Sequence, residues 1–293
     1  MQLMAKANLH THTTYSDGLS SPNELFSLAK QQDISIISIT DHDTIEHIPE
    51  EIELAKRMEL DFLIGCEVSA FQNRKDYHIL AYNFDPDNEV LLEHFEKYKV
   101  ERFKRAEAIA HKFNSLKIDL KFDDILNESK NAPIARTHIA RALVNAGLAK
   151  DTREVFSKYL YDNGPAYLPK PNTSCKEIID LIHYAGGVAV LAHPSNFYSV
   201  RELENIKKDG LDGIEVMHPL HSVQLQNYYR DFAKKYNLIE TGGSDFHGTE
   251  HDLMNFSLFH TDESAVEKII EKSKVIRSKS VFQHLWTKFF CFF

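Results

Sequence analysis

Cysteine is scarce in this chain: Cys66, Cys175 and Cys291 are the only three in 293 residues. Odd in number and far apart, they exclude a disulfide framework and form no zinc-ligand pair, so a reducing cytoplasm is the expected setting. Positive charge is also short. Lys and Arg total 34 against 43 Asp and Glu, a net −9, which excludes an extensive basic surface gripping long double-stranded nucleic acid. A small anionic substrate stays open, because bound metal ions would make a site locally positive. Long apolar runs are missing as well. No segment approaches a membrane span, and the first residues lack the hydrophobic stretch of a secretory signal.

What the chain does have is enough apolar content, 43%, for a large core, and a length that suits one α/β barrel carrying an insertion. It also has histidines and acids just past the ends of short apolar runs. Asn8-Leu9-His10-Thr11-His12 is followed by Asp17-Gly18; then come Thr40-Asp41-His42-Asp43, Gly65-Cys66-Glu67, Tyr77-His78, Ala192-His193-Pro194 and Gly242-Gly243-Ser244-Asp245-Phe246-His247. His10 and His12 are one residue apart, so in an extended segment they face the same side. Imidazoles and carboxylates gathered at one rim bind divalent metals without any cysteine.

The runs before these residues read as strands. Ile34 to Ile39 is branched and apolar, and Phe62-Leu63-Ile64, Val188 to Leu191, Leu211 to Val216 and Leu238 to Glu240 repeat the pattern. Helices fall between them. Pro22 to Gln31 follows Ser20-Ser21, and Ser174 to Tyr184 stops at Gly186-Gly187. Alternation of this kind implies a parallel sheet, and closure into a barrel would gather the residues after each strand on one face. From Asn88 to Gly164 the alternation breaks, with a long helix expected over Glu89 to Leu116 and another over Ile134 to Ala146. The expected organisation is a first barrel part over 1–87, a helical insertion over 88–165 and a second barrel part over 166–293. The basic residues Lys97, Lys99, Arg102, Lys104, Arg105 and Lys112 are interleaved with glutamates, which reads as a solvated, salt-bridged helix face. The aromatic end, Phe289 to Phe293, is expected to pack on the body.

Taken together, His10-Thr11-His12 with Asp17, the Thr40-Asp41-His42-Asp43 segment and the Gly-Gly-Ser-Asp-Phe-His segment resemble the polymerase and histidinol phosphatase (PHP) family over nearly the whole chain. The resemblance implies a distorted (β/α)7 TIM-like barrel, the PHP fold, with a helical insertion. It implies two or three divalent ions, Mn²⁺ foremost, with Fe²⁺, Zn²⁺ or Mg²⁺ as alternatives. By family analogy His10, His12, Glu67 and Asp245 would hold one ion; Glu67, His78 and His193 a second; Asp17, His42 and His247 a third. Many relatives have histidine where this chain has Asp17, and a carboxylate there favours harder metals.

The Arg136-Thr137-His138 segment resembles one in the branch that contains 3′,5′-nucleoside bisphosphate phosphatases and 5′-to-3′ exoribonucleases. Arg136 and His138 are candidate phosphate clamps, because guanidinium matches phosphate geometry; capping and burial of a helix start is the alternative. Asp43 is a candidate for orienting a ligand or relaying a proton, and His218 and His221 are candidate substrate contacts. Ser16, Ser195 and Ser244 read as turn or cap residues, and no serine or cysteine nucleophile is required. His47, His94, His111, His183, His251, His260 and His284 read as surface or helix-packing residues. The function so implied is removal of the 3′-phosphate from a nucleoside 3′,5′-bisphosphate by metal-bound hydroxide. The alternatives are 5′-to-3′ cleavage of short RNA or RNA ends, histidinol phosphate hydrolysis, and, in a different class, a non-catalytic metal-binding module. Oligomeric state stays open.

Overall fold

A computed structural model describes the backbone of residues 5–290 and the side-chain surroundings of residues 5–279; the aromatic end lies outside the described side chains. Among the described residues nine strands form two sheets. The first sheet contains β1 (Lys6–Asn8), β2 (Ile36–Ile37), β3 (Asp61–Phe62) and β9 (Thr261–Asp262), in the order β3-β2-β1-β9. The second runs β4-β5-β6-β7-β8 through β4 (Gly65–Gln72), β5 (Lys75–Tyr82), β6 (Val188–Leu191), β7 (Gly213–Met217) and β8 (Ile239–Gly242).

Strands alternating with helices pair in parallel: β1 with β2, β2 with β3, β6 with β7, and β7 with β8. Three pairs are antiparallel: β1 with β9, β5 with β6, and a hairpin. β4 and β5 pair antiparallel along their whole length across the turn Asn73-Arg74, where both residues have positive φ. Such a turn needs two left-handed residues, and Arg at the second position hides it from a sequence search for Asn-Gly or Asp-Gly.

A distorted (β/α)7 TIM-like barrel is the expectation; among the described residues the strands form two sheets joined by single bridges, Thr11 with Phe246 and His42 with Glu67. The seams fall where the metal-type residues leave the strands. Asp43 and Asp245, beside the two bridges, adopt φ of 53° and 52°, and a left-handed residue turns the backbone out of the ladder. Individual hydrogen bonds still tie the seam, Leu9 N–H to the Gly242 carbonyl at 3.2 Å and Asp245 N–H to the His10 carbonyl at 2.9 Å.

The helices are α1 (Pro22–Gln31), α2 (Ile48–Met58), α3 (Glu89–Ser115), α4 (Phe122–Ser129), α5 (Arg136–Asn145), α6 (Thr152–Val155, continued by one π turn, Phe156–Leu160), α7 (Cys175–Tyr184), α8 (Val200–Lys208), α9 (Val223–Tyr236), α10 (Glu250–Asn255) and α11 (Glu263–Phe290). Four start with reciprocal capping boxes, Ser21 with Glu24, Ser174 with Glu177, Ser199 with Glu202 and Thr249 with Asp252. Each box satisfies two otherwise orphaned N–H groups and fixes where the helix begins.

One large core lies under the second sheet, built from residues such as Val68, Ile79, Leu191, Ile214 and Phe232. The helical segment has its own core around Ile109, Phe113, Ile125, Leu143 and Leu160. Helix α3 joins the two. Its first turns bury Leu91 and Phe95 in the sheet's core, and its later turns bury Ile109 and Phe113 in the helical one. Arg102 and Arg105 fall at that junction and are 3% and 9% exposed. This corrects the expectation of a solvated basic face for those two residues. Lys97 and Lys104 do lie in exposed pairs with Glu93 and Glu101.

Candidate active site

His10 and His12 leave β1 and are fully buried. Their Nε2 atoms are 3.2 Å apart, each lies 3.2 Å from Glu67 Oε2, and Asp245 Oδ1 is 3.3 and 3.2 Å away. His42 Nδ1 adds a third ring nitrogen 3.1 Å from Glu67 Oε2. The other Glu67 oxygen faces His78 Nδ1 and His193 Nε2, both at 2.9 Å. On the far side, His247 Nε2 is 3.3 Å and His42 Nε2 3.9 Å from Asp17 Oδ1. All nine residues named from the sequence motifs therefore converge, with the Glu67 carboxylate at the centre.

The donor set fits cations. Three ring nitrogens crowd onto one Glu67 oxygen, which has only two lone-pair positions. Asp17 Oδ1 and His42 Nδ1 are buried without a hydrogen bond, a costly condition unless a charge sits between such atoms. Burial opposes ionisation of Glu67, yet the His42, His78 and His10 rings outweigh it and hold the carboxyl well below the usual range. The same balance, set mainly by His247 and His42, holds for Asp17. Asp245 is likewise held low against its burial, chiefly by His10.

A supporting layer fixes these groups. Glu215 on β7 accepts from His10 Nδ1 at 3.1 Å and from the His193 backbone N–H at 2.7 Å. Its bond to Nδ1 sets the His10 tautomer and leaves Nε2 free to ligate. Glu215 was not picked out by motif reading; a lone acid between Ile214 and Val216 on a buried strand was the available signal. Asp41 accepts from the Thr13 N–H at 2.8 Å and from the Ser16 hydroxyl, so it holds the loop between His12 and Asp17. Two glycines make room. A Cβ on Gly243 would overlap the His10 backbone, and one on Gly18 would lie 2.6 Å from the His12 carbonyl oxygen. His47, expected at the surface or in helix packing, is fully buried. Its Nδ1 is 2.8 Å from Glu51 and its Nε2 3.1 Å from the Thr44 carbonyl. Burial works against its charge, but Glu51 raises its pKa to about 9.

The helical segment closes over this lattice from α5. His138 is buried: its Nδ1 accepts from the Ala135 N–H and its Nε2 donates to the Ser16 carbonyl, both at 3.0 Å. Burial first, then neighbouring charge, lowers its pKa to about 4, so the ring is neutral and carries that one-donor, one-acceptor pattern. Thr137 donates to Asp17 Oδ2 at 2.7 Å, and Arg141 donates to the Asp17 carbonyl at 3.0 Å. These side chains pin the first motif. Arg136 points elsewhere, to Asp76 Oδ2 at 3.2 Å and the Leu160 carbonyl at 3.2 Å. Asp43 pairs with Arg102 and accepts from the Ser69 N–H at 2.7 Å, facing away from the nine. His218 is buried, accepts from the Leu220 N–H and lies 3.3 Å from Asp245 Oδ2. Both nitrogens of His221 are engaged, with the Val216 carbonyl and the Ser195 N–H.

Between lattice and helices is a cavity of 230 Å³. One wall is Asp17, His42, His78 and His247; the other is Arg102, Arg105, Arg136 and Lys170. Lys170 Nζ lies 3.0 Å from His78 Nε2, and burial together with the nearby arginines lowers its pKa to about 8. Burial beside Arg102 and Arg136 brings Arg105 down to about 10. Asp43 and Asp76 pair with Arg102, Arg136 and Lys170, and the excess of positive charge left on this wall favours an anion.

Residues 8–217 match the PHP domain model. The chain belongs to the PHP family. A 3′,5′-nucleoside bisphosphate phosphatase from Chromobacterium violaceum is 34% identical over 250 residues, covering 83% of this chain and 88% of that protein. The 5′-3′ exoribonuclease Rnm of Escherichia coli is 30% identical over 247 residues, covering 82% and 84%. Among solved structures, a chain from Bifidobacterium adolescentis assigned as a metal-dependent phosphoesterase superposes with a TM-score of 0.83 at 30% identity, covering 91% and 96%. An amidohydrolase from Chromobacterium violaceum, with sulfate bound and no metal, gives 0.81 at 28% identity, covering 92% and 97%. This PHP protein is a metal-dependent phosphoesterase with a mixed α/β fold, and no helix among its described residues is long and apolar enough to cross a membrane.

Proposed function

We propose that this enzyme removes the 3′-phosphate from nucleoside 3′,5′-bisphosphates. The observation that carries the proposal is the pair of facing walls: a cation-binding lattice for the phosphate that reacts, and four basic side chains for one that does not. A substrate with two phosphates uses both walls; histidinol phosphate, with one phosphate and a cationic body, would leave the basic wall unmatched. The bisphosphate phosphatase among the relatives and the sulfate-bearing structural neighbour support the same choice.

His10, His12, Glu67 and Asp245 would hold one divalent ion, Glu67, His78 and His193 a second, and Asp17, His42 and His247 a third. Mn²⁺ suits a mixed set of imidazoles and carboxylates without thiolate. Such ions, when bound, lower the pKa of water and neutralise phosphate charge. The chain's own residues do the rest. Arg136, Arg102, Arg105 and Lys170 bind the second phosphate and orient the ester. His138, with Thr137 and Arg141, holds the Asp17 loop in place. Asp43 acts through Arg102, His218 through Asp245, and His221 through the Ser195 backbone, so these four histidine and acid candidates become positioning groups. In this reading the two sheets would correspond to a distorted (β/α)7 barrel, with residues 88–165 as its helical cap. Cys66 and Cys175, both free and buried, suit a reducing cytoplasm.

One alternative has its own support. The exoribonuclease relatives are as long and nearly as similar, and a basic wall that seats a 5′-phosphate would also place the first diester of a short RNA at the lattice. Manganese-loaded protein offered adenosine 3′,5′-bisphosphate, a 5′-phosphorylated RNA oligonucleotide and histidinol phosphate separates these. Phosphate release from the first, leaving AMP, is the expected result. Silence there with stepwise nucleotide release from RNA would make the enzyme an exoribonuclease.

A further inference from the structure

A second cavity of 360 Å³ opens beside the first and shares Arg136 and His78 with it. Its wall differs in kind. Phe197 is 55% exposed, a large apolar ring left at the mouth of an otherwise charged site. Tyr198 lies behind it, centroids 6.2 Å apart, and is itself stacked on Tyr77 at 4.5 Å and 11°. The Tyr198 hydroxyl donates to the Asp76 carbonyl at 2.9 Å. This aromatic pair is therefore held from behind while the Phe197 ring stays open.

The polar side chains of the same wall already serve the protein. Lys75 Nζ donates to Glu202 at 2.7 Å and to the Phe197 carbonyl at 3.3 Å. Asp76 faces Arg136 and Lys170, and Asp162 Oδ1 faces Arg136 at 3.4 Å. The wall offers a flat apolar face and few uncommitted hydrogen-bonding groups. Every nucleobase has a π-face, so an aromatic platform of this kind binds bases with little regard to sequence.

We propose that Phe197 is a base-stacking platform, and that the second cavity receives the nucleobase of a substrate whose phosphates sit between the two walls of the first. The inference rests on the nucleotide phosphoesterase reading above and adds a residue and a specificity to it. Recognition is by stacking rather than by the hydrogen-bonding edge, so the enzyme accepts all four bases. Arg136, common to both cavities, sits where phosphate binding ends and base binding begins.

The test is equilibrium binding, measured by calorimetry on manganese-loaded full-length protein with AMP and with ribose 5-phosphate as probes. AMP is expected to bind about tenfold more tightly, the size of one base–aromatic stack. Phe197→Ala should remove that gap, Phe197→Trp should keep it, and ribose 5-phosphate should bind all three proteins alike. GMP, CMP and UMP should fall close to AMP. Equal binding of AMP and ribose 5-phosphate, a gap that survives Phe197→Ala, or a strong preference for one base would each overturn the proposal. Because Phe197 is exposed, loss of folding does not confuse the outcome. Failure to release phosphate from a bisphosphate would sink the phosphatase reading while leaving the binding gap measurable.

Discussion

The two walls of the active-site cavity are built on opposite principles. The lattice wall comes from short segments that follow β1, β2, β6 and β8 and from the β4–β5 hairpin, and its residues keep fixed local spacings such as His10-Thr11-His12. The basic wall comes from scattered places: mid-helix in α3, the start of α5, and Lys170 between Pro169 and Pro171. Metal ligands must point at a shared atom to within a few tenths of an ångström, which local backbone geometry supplies. A phosphate-binding wall needs only positive charge within reach, and long flexible side chains deliver that from anywhere on the rim.

Substitutions should separate the walls by what they remove. The largest effect is expected for His12→Ala and Asp245→Asn, each of which takes a donor from the lattice. Bound metal and turnover should fall to background while the circular dichroism spectrum stays native; full activity would remove the residue from the ligand set. Glu215→Gln should be milder, about tenfold to a hundredfold in metal affinity or rate, as for partners that orient a ligand. Its readout is the metal concentration at half-maximal activity. Arg136→Ala should cost about tenfold to a hundredfold in kcat/KM, the loss of one or two charged hydrogen bonds. That loss should appear in KM with metal content unchanged.

The smallest effect concerns His47, beneath the lattice. Its folded pKa of about 9 lies above the ordinary 6.5, so it contributes stability that is full below pH 6.5 and lost as pH rises through 9. The difference in denaturation midpoint between wild type and His47→Gln should shrink between pH 6.5 and 9. Comparing the two proteins at each pH cancels any metal contribution they share. A constant difference would show that His47 is not held as a cation.

The asymmetry between the walls also explains what could be read from the sequence. Most of the nine lattice residues stood out because His, Asp and Glu recur after apolar strand runs, while Asp17 and His78 were named from the resemblance to the PHP motifs. Helices α1 and α7 were legible from Ser21 and Ser174 ahead of their apolar stripes. Arg102 and Arg105 were hidden by the alternating charges around them. Yet Tyr98, Arg102, Arg105 and Ile109 follow one another at helical spacing along the buried face of α3, and that periodicity was the better guide. His47 was hidden because its partner Glu51 is one helical turn away in a charged stretch, although Ile45 and Ile48 beside it are buried. The break between the two sheets had no sequence signal, since nothing in the Ser244-Asp245-Phe246 run marks the positive φ that Asp245 adopts.

The most direct measurement is metal content and steady-state kinetics on adenosine 3′,5′-bisphosphate, determined side by side for wild type, His12→Ala and Arg136→Ala. We expect His12→Ala to lose metal and turnover together, and Arg136→Ala to keep its metal with a raised KM. Metal loss in Arg136→Ala, or turnover retained in His12→Ala, would contradict the division of the site into a metal-holding wall and a phosphate-holding wall.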